Sequence, residues 1–249
     1  MTYTPSPHQL TFGSLFAGIG GFDLGFERAG MRCEWQVEID PYCQRVLAKH
    51  WPNVRRWDDV RTFPPADGEW AVDVICGGFP CQDISYAGRG LGLAGERSGL
   101  FFEYVRIIRA LGPRIVVLEN VAALLTRGLD QILGTLADCG FDAEWICIQA
   151  ASFGAPHLRD RTFILADSAE VRWHTRGNDS RDDGQLTTAR KGWMQQFTGA
   201  AEWLPEPGVC RVVNGVPSDM DLDRIGALGN AVVPQVAEWI GRRIVEAGA

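Results

Sequence analysis

Three groups of residues in this chain could do chemistry together. The segment Val72-Asp73-Val74-Ile75-Cys76 runs as a buried strand into Gly77-Gly78-Phe79-Pro80-Cys81-Gln82. Ligands bind at strand ends in open α/β sheets. A cysteine placed there, partly exposed and near a helix start, meets the conditions for thiolate chemistry, and Pro80 fixes the backbone just before it. Glu119 follows the apolar run Ile115-Val116-Val117-Leu118 and ends a strand at the same edge. Taken alone it fits a helix-capping carboxylate equally well. Paired with a nucleophilic cysteine, a protonated Glu119 becomes a candidate acid toward a ring nitrogen. Arg159 and Arg161 precede the strand expected at Thr162–Ala166. Alternate residues of an extended segment point the same way, so both arginines can reach one polar site. By themselves they fit a solvated edge pair as well.

A second constellation lies nearer the N-terminus. Phe16-Ala17-Gly18-Ile19-Gly20-Gly21 sits between a strand and a helix. Its glycines allow a tight turn and close ligand approach, and the helix that follows offers free N–H groups. Glu38 comes 20 residues after Gly18, at the end of the second strand. A carboxylate there can hold the ribose hydroxyls of a nucleoside cofactor. The loop suits a dinucleotide, S-adenosylmethionine or no ligand at all, and does not choose between them.

The elements that must position these residues follow from the apolar pattern. Strands are expected at Leu10–Leu15, Cys33–Glu38, Val72–Cys76, Arg114–Glu119, Ala143–Gln149 and Thr162–Ala166. Helices are expected at Phe22–Ala29, Pro41–His50, Leu100–Leu111, Leu129–Cys139 and Pro234–Glu246, with Pro41 suited to a first helical turn. This alternation specifies an α/β fold with a mainly parallel sheet flanked by helices. Asp167–Leu222 is rich in Gly, Asp, Arg, Thr and Trp without sustained periodicity, and reads as a small irregular module. The chain thus divides into residues 1–166, 167–222 and a returning segment 223–249.

The 249 residues, 46% hydrophobic, suffice for one substantial domain. No apolar run approaches the ~20 residues of a membrane span, and the first residues lack the pattern of a signal peptide, so a cytoplasmic protein is expected. Seven cysteines without a C-x-x-C pair, and four scattered histidines, argue against zinc. Most of the cysteines read as small buried hydrophobes, and a disulfide framework is not expected. The net charge of −7 counts against nonspecific nucleic-acid binding but leaves room for a locally basic cleft.

In order along the chain, Phe16–Gly21, Glu38, Gly77–Gln82, Glu119-Asn120-Val121 and Arg159-x-Arg161 resemble the cytosine-C5 DNA methyltransferases. Gly229-Asn230-Ala231-Val232 matches that family's last motif, and Ala87–Leu100 resembles its mobile catalytic loop, with Arg89 and Arg97. Each motif alone is weak, whereas the ordered set is specific. The resemblance implies a Rossmann-like S-adenosylmethionine-dependent fold with a small target-recognition region. It implies methyl transfer from S-adenosylmethionine to carbon 5 of a cytosine flipped out of double-stranded DNA. Cys81 would be the nucleophile and Glu119 the donor to ring nitrogen 3. Arg161 would hold the base carbonyl, and Arg159 would support the catalytic loop or a phosphate. Phe16, Ala17, Gly18, Ile19, Gly20 and Gly21 would line the methionine end of the cofactor. Glu38 would hold its ribose, and Ile39, Asp59 and Val60 its adenine. Pro80, Leu100, Asn230 and Val232 would complete the pocket. The expected enzyme works as a monomer, without metal, in a bacterial or phage-infected cell, as in restriction–modification systems.

The chain departs from the family pattern in places. Asp58-Asp59-Val60 stands where Gly-Asp-Ile is usual, and His157 where a glutamine is usual. The recognition region is short, and Arg211–Pro217 matches its usual motif only loosely. Trp173, Arg176, Lys191, Trp193 and Trp203 are candidates for DNA contact there, although at least two of these tryptophans read as a mini-core, and the acidic run Asp179–Asp183 reads as solvent-facing. The competing readings are a transfer-RNA methyltransferase with the same chemistry, a nicotinamide-dependent oxidoreductase and a non-catalytic DNA-binding protein. The oxidoreductase would leave Cys81 and Glu119 without a role.

Overall fold

The computed structural model of the chain describes residues 9–66, 68–80, 99–155, 158–168, 223 and 226–247. Seven strands form one sheet: β1 (Thr11–Leu15), β2 (Arg32–Val37), β3 (Arg55–Trp57), β4 (Val74–Gly77), β5 (Ile115–Val121), β6 (Phe141–Gln149) and β7 (Asp160–Ser168). Their spatial order is β3-β2-β1-β4-β5-β7-β6. The helices are α1 (Gly21–Arg28), α2 (Pro41–His50), α3 (Leu100–Leu111), α4 (Leu124–Arg127), α5 (Leu129–Asp138) and α6 (Pro234–Glu246).

The first five strands in spatial order run parallel, joined through helical crossovers as the alternation requires. Only β7 is reversed. β7 inserts between β5 and β6 and runs antiparallel to both. Its apolar alternation is compatible with either direction, so direction is a property of the pairing. β3 and α4 are additional elements, of three and four residues, too short to raise a periodic signal.

Side-chain alternation sorts the strands onto two cores. Ile75 of β4, Val116 and Leu118 of β5 and Ile164 of β7 join a cluster with Phe101, Tyr104, Ile108 and Ile132 from α3 and α5. Val74, Cys76, Ile115, Val117, Phe163 and Leu165 face the opposite way, against Phe22 and Phe26 of α1 and Ile240 and Ile244 of α6. This parity decides which residues at the strand ends share a face. Tyr104, fully buried, sets its hydroxyl 3.2 Å from the carbonyls of Ile75 and Val117 and so ties β4 to β5. The five cysteines among the described residues are free; Cys33, Cys43 and Cys76 are buried as expected, whereas Cys147 is exposed.

One buried carboxylate underlies α1. Asp23 is wholly buried and accepts from Ser14 Oγ of β1 at 3.1 Å and from Gln36 Nε2 of β2 at 2.9 Å. The Cys33 thiol donates at 3.5 Å to Oδ1, the oxygen that Gln36 also reaches. Burial pushes the Asp23 carboxyl up from 3.8 to about 6, only partly offset by these donors. Charge burial therefore outweighs the hydrogen bonds that favour the charged form. Folded Asp23 keeps its proton to higher pH than the unfolded chain does. Its contribution to stability is greatest below about pH 4 and falls as pH rises toward 6. Asp23→Asn should remove that slope, so that the melting temperature of the variant gains on the parent's between about pH 4 and pH 7. A pH-independent difference would contradict this account of α1.

Candidate active site

The carboxyl edge of the sheet brings Glu119 and Arg161 together beside the turn at Gly78–Pro80. β4 and β5 are adjacent and in register, with Gly77 beside Leu118, so Gly78-Phe79-Pro80 leaves the sheet next to Glu119-Asn120-Val121. Antiparallel β7 starts where β5 ends, pairing Phe163 with Glu119 and Arg161 with Val121. Glu119 and Arg161 are therefore diagonal neighbours on one face, within reach of each other.

Their contact is direct: Arg161 Nε lies 2.9 Å from Glu119 Oε1. The pair is close in distance but poorly aligned, because buried Oε1 receives no well-directed hydrogen bond. The Glu119 side chain is 9% exposed and that of Arg161 is 23% exposed. Burial pushes the Glu119 carboxyl above the usual carboxylate range, and the Arg161 and then the Arg159 guanidinium pull it partly back. Desolvation wins, which favours a protonated acid at the head of β5. Gly78 leaves the space this carboxyl fills, since a Cβ there would run into Glu119 Oε2.

Asn120 points to the other face. Its Nδ2 donates to the Phe79 carbonyl at 3.2 Å, while its Oδ1 accepts from Val121 N–H at 2.9 Å. Phe79 is anchored by the Phe101 ring, with centroids 5.4 Å apart. The turn that presents Pro80 is thereby held from both sides. Gly78 and Asn120 went unassigned by sequence reasoning. Their signal was adjacency: a glycine pair before the proline, and an amide immediately after the acid.

Arg159 departs from the expected alternation. It precedes β7 with φ 37°, in the left-handed region, so its side chain does not follow the strand parity. Its guanidinium donates to the carbonyls of Gly229, at 2.6 Å, and of Ala231. Both arginines still act electrostatically on Glu119, but only Arg161 is placed by the strand.

The glycine loop forms at the carboxyl end of β1. Phe16 and Gly18 have φ of 53° and 58°, and Gly20 caps α1 with φ 87°. Glu38, just beyond β2, accepts from Gly18 N–H at 2.6 Å and from Asp40 N–H at 2.8 Å. The carboxylate thus faces the loop that the spacing assigned to it, and burial raises its pKa. Ala17 N–H donates to the Val37 carbonyl at 3.0 Å, fastening the loop to β2. Gly21 packs directly on the backbone of Val232, where no Cβ fits. Ile39 is 63% exposed beside Glu38. Asp59 caps a short 3-10 turn, accepting from Arg61 N–H at 2.9 Å, and Val60 is buried in the core. Leu100 opens α3, partly buried, and Asn230 is exposed.

Cys81, Gln82, Arg89, Arg97 and His157 lie outside the described residues, as do Trp173, Arg176, Asp179–Asp183, Lys191, Trp193, Trp203 and Arg211–Pro217. Among the described residues, no three His, Cys, Asp or Glu side chains are grouped to hold a metal ion, and no helix is long and apolar enough to cross a membrane.

The family model for C-5 cytosine-specific DNA methylase matches residues 10–195. The Type II methyltransferase M.NgoFVII of Neisseria gonorrhoeae is 35% identical over 157 residues, covering 61% of this chain and 42% of that protein. The Type II methyltransferase M.Eco47II of Escherichia coli is 37% identical over 173 residues, covering 64% and 41%. The chain thus matches less than half the length of either relative. Among solved structures, a DNA modification methyltransferase encoded within an Escherichia coli prophage superposes with TM-score 0.53 at 25% identity, covering 65% of this chain and 47% of that one. A Spodoptera frugiperda DNMT2 variant, at 21% identity and TM-score 0.56, covers 69% and 54% and shares the fold.

The electrostatics of the site lead to a direct test. Replacing Arg161 by Gln removes the larger of the two cationic influences on Glu119. The carboxyl should then titrate at higher pH than in the parent, read by carboxyl carbon NMR. An unchanged titration would show that the 2.9 Å pair is not electrostatically linked.

Proposed function

The chain belongs to the C-5 cytosine-specific DNA methylases, and from that premise we propose that it transfers a methyl group from S-adenosylmethionine to carbon 5 of cytosine in double-stranded DNA. The observation that carries this reading is the buried Glu119 carboxyl, raised in pKa and set against Arg161 beside the Gly78–Pro80 turn.

Carbon 5 of cytosine is a poor nucleophile. The Cys81 thiolate adds to carbon 6, forming a carbon–sulfur bond. Glu119 gives its proton to ring nitrogen 3, and the ring becomes an enamine that is nucleophilic at carbon 5. Arg161 holds the carbonyl oxygen of the base and stabilises the charge that develops there. S-adenosylmethionine, when bound, supplies an electrophilic methyl group. Once carbon 5 is methylated, loss of its proton to a base breaks the carbon–sulfur bond and releases Cys81 as the thiolate, while nitrogen 3 returns its proton to Glu119 and the ring is aromatic again. Asn120, through the Phe79 carbonyl, positions the turn that leads to Cys81. The target base must leave the duplex stack to reach this edge, at a cost of a few kcal/mol.

Supporting the cofactor assignment are the left-handed glycine loop and the Glu38 carboxylate facing it. Glu38 receives two main-chain donors, and a carboxylate accepts about four, which leaves capacity for ribose hydroxyls. Exposed Ile39 offers an apolar surface for an adenine, which Asp59 and Val60 would help to surround. Phe16, Ala17, Gly18, Ile19, Gly20 and Gly21 would take the methionine end, with Pro80, Leu100, Asn230 and Val232 closing the pocket. Residues 1–166 and 223–249 would make the catalytic unit and 167–222 the recognition unit, in a monomer acting on DNA in the cytoplasm.

Cys81→Ser should abolish transfer of labelled methyl groups to DNA while leaving S-adenosylhomocysteine binding within about twofold of the parent. Bisulfite sequencing of DNA from expressing cells places the product at carbon 5. Full activity in the serine variant contradicts the mechanism, and labelling of transfer RNA rather than DNA contradicts the substrate.

A further inference from the structure

The guanidinium of Arg159 acts electrostatically on Glu119 and also reaches the main chain of the segment that precedes α6. It donates through Nη1 to the Gly229 carbonyl at 2.6 Å and through Nη2 to the Ala231 carbonyl. Gly229 is in the last part of a helical turn at 226–230 and Ala231 follows it, with the closing hydrogen bond from Ala231 N–H to the Ala227 carbonyl at 3.0 Å. Late carbonyls of a helical turn lack internal partners and favour a cation. One planar guanidinium meets both carbonyls at once, a geometry that a lysine ammonium does not reproduce.

Two further observations give this contact a direction. Arg159 adopts φ 37°, a left-handed conformation that is unfavourable for a non-glycine residue and persists only where the surroundings enforce it. This backbone conformation takes the side chain out of the β7 parity and across to the 229–231 segment. One residue further on, the Val232 carbonyl abuts Gly21 of the glycine loop so closely that no Cβ fits between them.

We propose that Arg159 is a positioning residue for the cofactor pocket: by clasping the Gly229 and Ala231 carbonyls it holds Asn230 and Val232 against the glycine loop. The proposal rests on the cofactor reading given above. It departs from the expectation that Arg159 serves the catalytic loop or a DNA phosphate. It also links the two halves of the site, because Arg161, two residues away, pairs with Glu119.

The test uses the full chain with Arg159→Lys and Arg159→Gly; glycine accepts a positive φ, so the second variant avoids backbone strain. S-adenosylhomocysteine binding is measured by calorimetry, and affinity for a mixed-sequence duplex is measured against salt without cofactor. Amide exchange is followed in residues 226–233. Both variants should bind S-adenosylhomocysteine at least tenfold more weakly and exchange faster in that segment, with the duplex salt dependence unchanged. Unchanged S-adenosylhomocysteine affinity overturns the proposal. If the salt slope also drops by about one, the phosphate role replaces it. If the parent chain itself fails to bind S-adenosylhomocysteine, the cofactor reading falls and the clasp with it. Parental binding with indifferent variants removes the clasp alone.

Discussion

A carboxyl group buried beside a guanidinium is the constraint around which the rest of this site is arranged. Glu119 sits where solvent cannot support its charge, and Arg161, at 2.9 Å, does not fully compensate. The balance leaves an acid that keeps its proton more readily than a free glutamate. That balance depends on the fold in specific ways. β7 must run antiparallel for its first arginine to meet the last residues of β5. Gly78 must lack a side chain to leave room for the carboxyl, and Asn120 must turn to the other face to hold Phe79.

The second half of the site obeys the same logic at β1 and β2. Glu38 is partly desolvated, and its main-chain donors come from the loop it organises. Beneath the loop, Asp23 ties α1 to both strands at the cost of a buried charge. The fold thus places the glycine loop and an acid–guanidinium pair along one sheet edge. The 226–232 segment is common to both, touching Gly21 on one side and Arg159 on the other.

Much of this was legible in the residues because the signals were local. A strand of apolar residues ending in Glu119, glycines before a helix, and a carboxylate 20 residues beyond Gly18 each specify their own surroundings. What was not legible depended on pairing. Nothing in Thr162–Ala166 states that its strand runs antiparallel. Arg159 was expected to reach the same polar site as Arg161 on the assumption of an extended backbone, and its positive φ removes that premise. β3, with two arginines in three residues at the sheet edge, lacks any apolar alternation. Asp23, in the first turn of α1, has the pattern of a solvated residue that favours the helix dipole, and only the packing of β1 and β2 buries it.

The central claim is that this edge carries out covalent chemistry on cytosine through Cys81. It is tested most directly by incubating the chain with S-adenosylmethionine and duplex DNA in which 5-fluorocytosine replaces cytosine. Fluorine at carbon 5 cannot leave as the proton does, so elimination of the thiol is blocked after methyl transfer. Peptide mass spectrometry should then find the nucleotide attached to the peptide containing Cys81. An adduct on another cysteine, or no adduct under conditions that methylate unsubstituted DNA, would contradict the account.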